Sequence, residues 1–227
     1  MINRNGLINL HEEIRSDPAF EHLRAGKQPL IPGEGDKPIA FIIGEAPGAV
    51  EVMKGRPFVG PAGEVMRELM DIAGLWATPQ WSRGSDKFPE TTGEILPNCW
   101  LTNVIKYRPP MNRTPTLPEI KASRKYIRRE WELVGRPKMI IPVGAVALTC
   151  VMGKPMSILK HAGIAEFKTT RPTLKNPFPE AITVWPMIHP SYALRNKEMQ
   201  PTLEQQWEKL GEWLVDRDYY SRYPSRR

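Results

Sequence analysis

Four short apolar runs punctuate the chain, at residues 39–43, 100–105, 139–143 and 182–188, and each stops where small, polar or proline residues begin. Runs of this length, bounded by turn-forming residues, predict strands. Their apolar character is continuous rather than alternating, so the sheet they form is covered on both faces. Residues 63–72 place Val65, Met66, Leu69 and Met70 on one side of a helix, with Ile72 beside them. Thr116 and Glu119 have capping-box spacing ahead of another helix, with Pro118 in its tolerant first turn. Residues 145–152 follow the third strand as a helix, and residues 202–215 carry Leu203, Trp207, Leu210 and Leu214 at amphipathic spacing. Strands alternating with helices predict the α/β class: a single three-layer α/β/α domain over residues 1–216, built on a central four-stranded parallel sheet. Residues 76–98 lack periodicity and are expected to form a long surface loop, and residues 217–227 a basic, aromatic tail.

In an open parallel sheet the ligand crevice lies beyond the carboxyl ends of the strands. That rule selects residues 44–51, 103–113, 144–145 and 189–195. In Gly44-Glu45-Ala46-Pro47-Gly48 the glycines allow backbone to approach a ligand, and Glu45 projects a carboxylate at a strand end. An ordinary strand-to-helix turn with a solvated glutamate is the plainer alternative. Phe58, held among prolines and glycines, suits either a stacking platform for a flat base or a loop anchor. Asn103 lies inside the second apolar run, where an amide is costly to bury without partners. Such an amide offers a donor and an acceptor in one plane, as reading a base edge requires, though bracing a turn would also use it. His189 ends the fourth run and can donate to a developing anion or serve structurally; Ser191 and nearby amides could hold a phosphate.

A net charge of +7 favours a polyanionic partner, with positive residues concentrated at 108–113, 121–129 and 217–227. The middle group also fits a solvated helix face. Cys99 and Cys150 are the only cysteines and match no metal spacing, which excludes a disulfide framework and a four-cysteine site and predicts buried thiols. Neither a GxGxxG fingerprint nor a GxxxxGK[ST] loop occurs, which argues against a nucleotide cofactor. No apolar run reaches 18 residues and the N-terminus lacks a signal-peptide core, so a cytoplasmic location without membrane contact is expected.

The order GEAPG, G-x-PFVG-x-AG, TNV-x-K-x-RPP-x-NR-x-P and HPS-x-x-LR resembles the family 4 uracil-DNA glycosylases, over residues 33–195. The resemblance implies hydrolysis of the N-glycosidic bond of a flipped uracil, or a related modified pyrimidine, in DNA. It implies that Glu45 positions or activates water and that His189 stabilises the departing base anion through O2. Gly44, Ala46, Pro47, Gly48, Phe58 and Asn103 would surround the base, with Phe58 stacked on it and Asn103 reading its edge. Lys106, Arg108, Arg113, Pro190, Ser191, Leu194 and Arg195 would contact DNA, Leu194 and Arg195 propping the duplex open. Members of family 4 also hold a [4Fe–4S] cluster on four cysteines. The matching positions fall at about Pro18, Glu21, Tyr107 and Ser123, so no cluster, metal or other cofactor is expected, and packing by Tyr107 and Phe20 takes its place. One acid of the first motif is replaced by Val52. A monomer acting on DNA is the expectation; a DNA-binding relative without excision activity, serving base modification, replication or partner recruitment, is the alternative.

Overall fold

The computed structural model describes residues 1–36, 38–75, 98–163, 167–168, 178 and 182–217. Helix α1 (Arg4–Ser16) starts at Asn3, whose side chain accepts the Gly6 amide at 2.9 Å, and buries Leu7, Leu10 and Ile14. A 3-10 turn (Pro18–Phe20) and α2 (Glu21–Arg24) follow. The order is then β1 (Glu34–Gly35), β2 (Ala40–Gly44), α3 (Ala49–Lys54), α4 (Pro61–Ile72), β3 (Cys99–Asn103), α5 (Leu117–Leu133), β4 (Met139–Pro142) and α6 (Ala145–Met152). It closes with α7 (Ile158–His161), β5 (Phe167–Lys168), β6 (Thr183–Val184), α8 (Ser191–Arg195) and α9 (Gln200–Asp216). The expected capping box is formed: the Thr116 hydroxyl accepts the Glu119 amide, and the Glu119 carboxylate accepts the Thr116 amide.

The described strands form one sheet in the order β1-β3-β2-β4-β6-β5. Its four central strands are parallel, as expected. Two antiparallel edge strands of two residues each enlarge the sheet to six, and segments that short leave no apolar run to read. The fourth apolar run is only partly strand. Pro186 has no amide to give the ladder, and pairing resumes as an isolated bridge from Met187 to Val143.

Side-chain alternation along β2 separates two cores. Phe41 and Ile43 pack with residues of α1, α5 and α6 on one face of the sheet, while Ala40 and Ile42 pack with those of α4 and α9 on the other. The result is the three-layer α/β/α arrangement. Both cysteines are buried, and burial pushes the Cys150 thiol up to about 12.

Basic residues of α5 are largely tied to acids: Lys125 to Asp17 at 2.8 Å, Arg128 to Glu132 at 3.1 Å, and Arg129 to Glu13. That group is a laced helix face. The expected loop at 76–98 lies outside the described residues except for Asn98, as does the tail beyond Arg217. Arg217 itself sits 4.4 Å from the centre of the Trp213 ring.

Near the N-terminal turn, Phe20, Tyr107, Ser123 and Tyr126 gather with Ile14 around a void of about 10 Å³, room for one water at most. The Phe20 and Tyr126 rings meet at 6.0 Å, and Tyr107 is buried. Two of the four positions matched to cluster ligands, Tyr107 and Ser123, therefore meet in one place, and aromatic rings fill it.

Candidate active site

The parallel register of β2 and β3 pairs Gly44 with Asn103 and continues past the strand ends, where Val104 and Ile105 donate to the Gly44 and Glu45 carbonyls at 3.0 and 3.1 Å. Glu45 is thereby held beside Asn103. A methyl group at Gly44 would collide with the Asn103 side-chain oxygen and the Phe58 ring, so these two side chains close over Gly44 because it has none. Asn103 is buried, and no hydrogen bond to its amide occurs among the described residues, which leaves that amide for a ligand.

The loop carrying Phe58 is fixed by Glu51, an acid whose sequence position alone shows no such role. Glu51 of α3 accepts the Gly48 amide on one carboxylate oxygen at 3.0 Å. Its other oxygen accepts the Val59 and Gly60 amides at 3.0 and 2.7 Å. One carboxylate thus ties the Glu45 loop to the Phe58 loop. Phe58 stands in the left-handed region at φ 53°, and the buried Arg67 donates to its carbonyl at 3.3 Å. A bulky residue is strained there, and contacts on both sides hold it.

His189 follows β6 across from Gly144, whose positive φ of 91° lets the chain turn close beneath the imidazole. Its Nδ1 accepts the Ser191 amide at 3.2 Å, and the Ser191 hydroxyl lies 2.9 Å from the same atom. A backbone N–H can only donate, so Nδ1 carries the lone pair and the ring proton resides on Nε2. Burial, aided by the nearby Arg195 charge and opposed by Glu51, pushes His189 down to about 4. The imidazole is therefore neutral at pH 7. Burial raises Glu45 above its ordinary value, while Arg195 pulls in the opposite direction.

Glu45, Phe58, Asn103 and His189 line one cleft of about 750 Å³ at the carboxyl ends of the strands, with Ala46, Pro47, Gly48, Arg113, Ser191, Leu194 and Arg195. Gly144 and Ala145, selected by the strand-end rule, line it too, and so do Ile158 and Leu159, which that rule did not reach. Gly44 and Pro190 stand buried just behind the wall. Arg108 braces the adjoining loop by donating to the Asn112 side-chain oxygen at 2.7 Å. Arg113 is in the wall but bound through two nitrogens to Glu119, at 2.9 and 2.7 Å.

Lys106 is not placed for the DNA contact expected of it. Its side chain is buried and its ammonium lies 2.6 Å from Glu130, which also accepts from Trp100 and Thr102 at 3.0 Å each. An ammonium sealed under the sheet by a buried carboxylate cannot reach a phosphate.

A family model described as the uracil DNA glycosylase superfamily matches residues 32–211, the span that supplies the whole cleft. The chain belongs to that superfamily. With it comes membership of the hydrolases that cleave N-glycosyl bonds. Over 185 residues the chain is 34% identical to the type-4 uracil-DNA glycosylase of Saccharolobus solfataricus, covering 81% of this chain and 76% of that one. The type-4 uracil-DNA glycosylase of Thermotoga maritima is 35% identical over 180 residues, covering 77% of each chain. That of Sulfurisphaera tokodaii is 30% identical over 199 residues, 84% of this chain and 77% of its own. No helix among the described residues is long and apolar enough to cross a membrane.

Proposed function

We propose that the protein excises uracil, or a closely related modified pyrimidine, from DNA as a monomer, after the nucleotide swings out of the helix into the cleft. The observation that carries this reading is the joint occupation of one cleft by Glu45, Asn103, Phe58 and a neutral His189 with its donor on Nε2. Cleaving the glycosidic bond sends an electron pair onto the base, and uracil leaves as an anion with charge on O2. His189 donates from Nε2 to that oxygen; as a neutral group it stabilises the anion without having to surrender a full proton. Glu45, ionised, accepts a proton from the water that attacks the sugar carbon. Its burial, which raises its affinity for protons, suits a base working near neutral pH. Phe58 stacks on the extruded ring, and Asn103 matches the O4 and N3–H edge of uracil while opposing the amine of cytosine.

The family 4 iron–sulfur cluster forms no part of this reaction. Hydroxyls, a proline and a carboxylate at positions 18, 21, 107 and 123 do not supply thiolates, and the aromatic packing around Tyr107 fills the place. The reading places the protein in the cytoplasm, where DNA is available to it.

The test is direct. Purified protein is incubated with single- and double-stranded oligonucleotides holding one uracil, and alkali-labile abasic sites are counted. Wild type should produce them and Glu45→Gln should produce far fewer. Intact strands from wild type on uracil and on modified pyrimidines would sink the reading.

A further inference from the structure

The mouth of the cleft carries more exposed apolar surface than base recognition requires. Leu194, expected to prop the duplex open, is 48% exposed. Two other side chains share its character. Leu159 lines the cleft from α7 and is 63% exposed. Met111 is 97% exposed on the turn between Pro109 and Asn112, both of which line the cleft. Met111 and Asn112 stand consecutively in the left-handed region, each with φ of 54°. Two such residues in succession cost free energy, and the turn nonetheless extends an apolar side chain into solvent.

Each of the three also sits beside a cation. Leu159 is followed by the exposed Lys160 and Leu194 by the exposed Arg195, while Arg108, which donates to Asn112, stands three residues before Met111. An apolar tip paired with a cation matches one occupant, duplex DNA: leucine and methionine enter base steps as wedges, and the cation meets the neighbouring phosphate. Met111 follows β3 and Leu194 follows β6, three strand positions away, while Leu159 stands on α7, beyond α6. At about 4.8 Å per position, the β3 and β6 ends are roughly 14 Å apart. The segments that carry Met111 and Leu194 thus leave the sheet from well-separated strands.

We infer that Met111 and Leu159 are two further wedges, which with Leu194 hold the duplex open around the extruded nucleotide. The inference rests on the excision reading only for its activity readout. A nucleotide already single-stranded needs no wedge, so Leu159→Ala and Met111→Ala should each lower single-turnover excision from duplex DNA. The loss should be roughly tenfold, as the cost of unstacking a base step implies, and Met111→Ala, outside the cleft lining, should leave excision from single strands within about twofold. Leu159→Phe, which restores an apolar tip, should recover the duplex rate. Duplex opening is read separately, without bond cleavage, from 2-aminopurine placed beside uracil. Wild type should raise its fluorescence and the double alanine variant should not. If wild type opens the duplex but cuts nothing, the excision reading fails and the wedges stand. If both variants affect single and double strands equally, or open the duplex like wild type, the wedge inference is wrong. Exposed positions tolerate these changes, and unchanged melting temperatures confirm that the fold is intact. Equal affinity for heparin and for duplex would instead make the rim a general polyanion surface and also overturn the inference.

Discussion

Protonation of His189 links folding and catalysis through one measurable group. In an unfolded chain this imidazole would titrate near 6.5, whereas burial and Arg195 push it down to about 4 in the folded protein. A depressed histidine stabilises the fold most when neutral in both states, above pH 6.5. As the pH falls, the unfolded chain takes up a proton that the folded one refuses, so stability is lost progressively until the folded group also titrates, near 4. The fall from 6.5 to about 4 corresponds to roughly 3 kcal/mol. Replacing His189 by Ala should therefore flatten the stability profile between pH 6.5 and 4, read from urea unfolding at a series of pH values. The same substitution removes the Nε2 donor, and one well-placed donor is worth about 2.7–4 kcal/mol in a transition state. Single-turnover excision should slow by roughly 10²–10³ while DNA affinity holds, with single-turnover conditions chosen so that product release does not mask chemistry. Nitrogen-15 NMR offers an independent check, because the Ser191 amide requires a bare Nδ1. A spectrum with the proton on Nδ1 at pH 7, or a variant within threefold of wild-type rate, would refute the assignment.

Other substitutions test the remaining parts of the site. Glu51→Ala strands three amides, those of Gly48, Val59 and Gly60; it should cost about 1–3 kcal/mol for each left unsatisfied and weaken uracil binding, with Glu51→Gln intermediate, measured by melting and by product inhibition. Lys106→Met should destabilise by about 3–5 kcal/mol, since Glu130 is left buried without its cation, yet leave the salt dependence of DNA binding unchanged. Arg195→Ala should lower that log–log salt slope by roughly 0.9 and, by removing the cation that restrains Glu45, shift the acid limb of kcat/KM to higher pH. Protein from iron-replete cells should contain no stoichiometric iron by metal analysis; a full complement retained after changing Cys99 and Cys150 would overturn the matched positions 18, 21, 107 and 123.

The sheet and the cleft were legible for a shared physical reason. A strand buried on both faces must be apolar throughout, so its end is marked by the first residue that cannot be buried cheaply. At Glu45 and His189 that residue is polar because it faces the cleft. Residues whose role depends on partners distant in sequence were not legible this way. Lys106 belongs to a motif whose resemblance implies DNA contact, and only Glu130, 24 positions away on α5, reveals its burial. Glu51 looks like a helix-capping acid until the fold brings Val59 and Gly60 to it. The paired edges escaped because two residues cannot establish a period. The N-terminal helix escaped because its mostly polar sequence buries only a narrow stripe. The Lys106 of the TNV-x-K motif looks like a substrate contact when only the motif is read, yet here its ammonium binds Thr102 of β3 and Glu130 and so holds Asn103, three residues earlier, in the cleft wall. Substitutions at Asn103 and at Lys106 should therefore be separable: the first alters which base is accepted, the second how firmly the whole strand end is held.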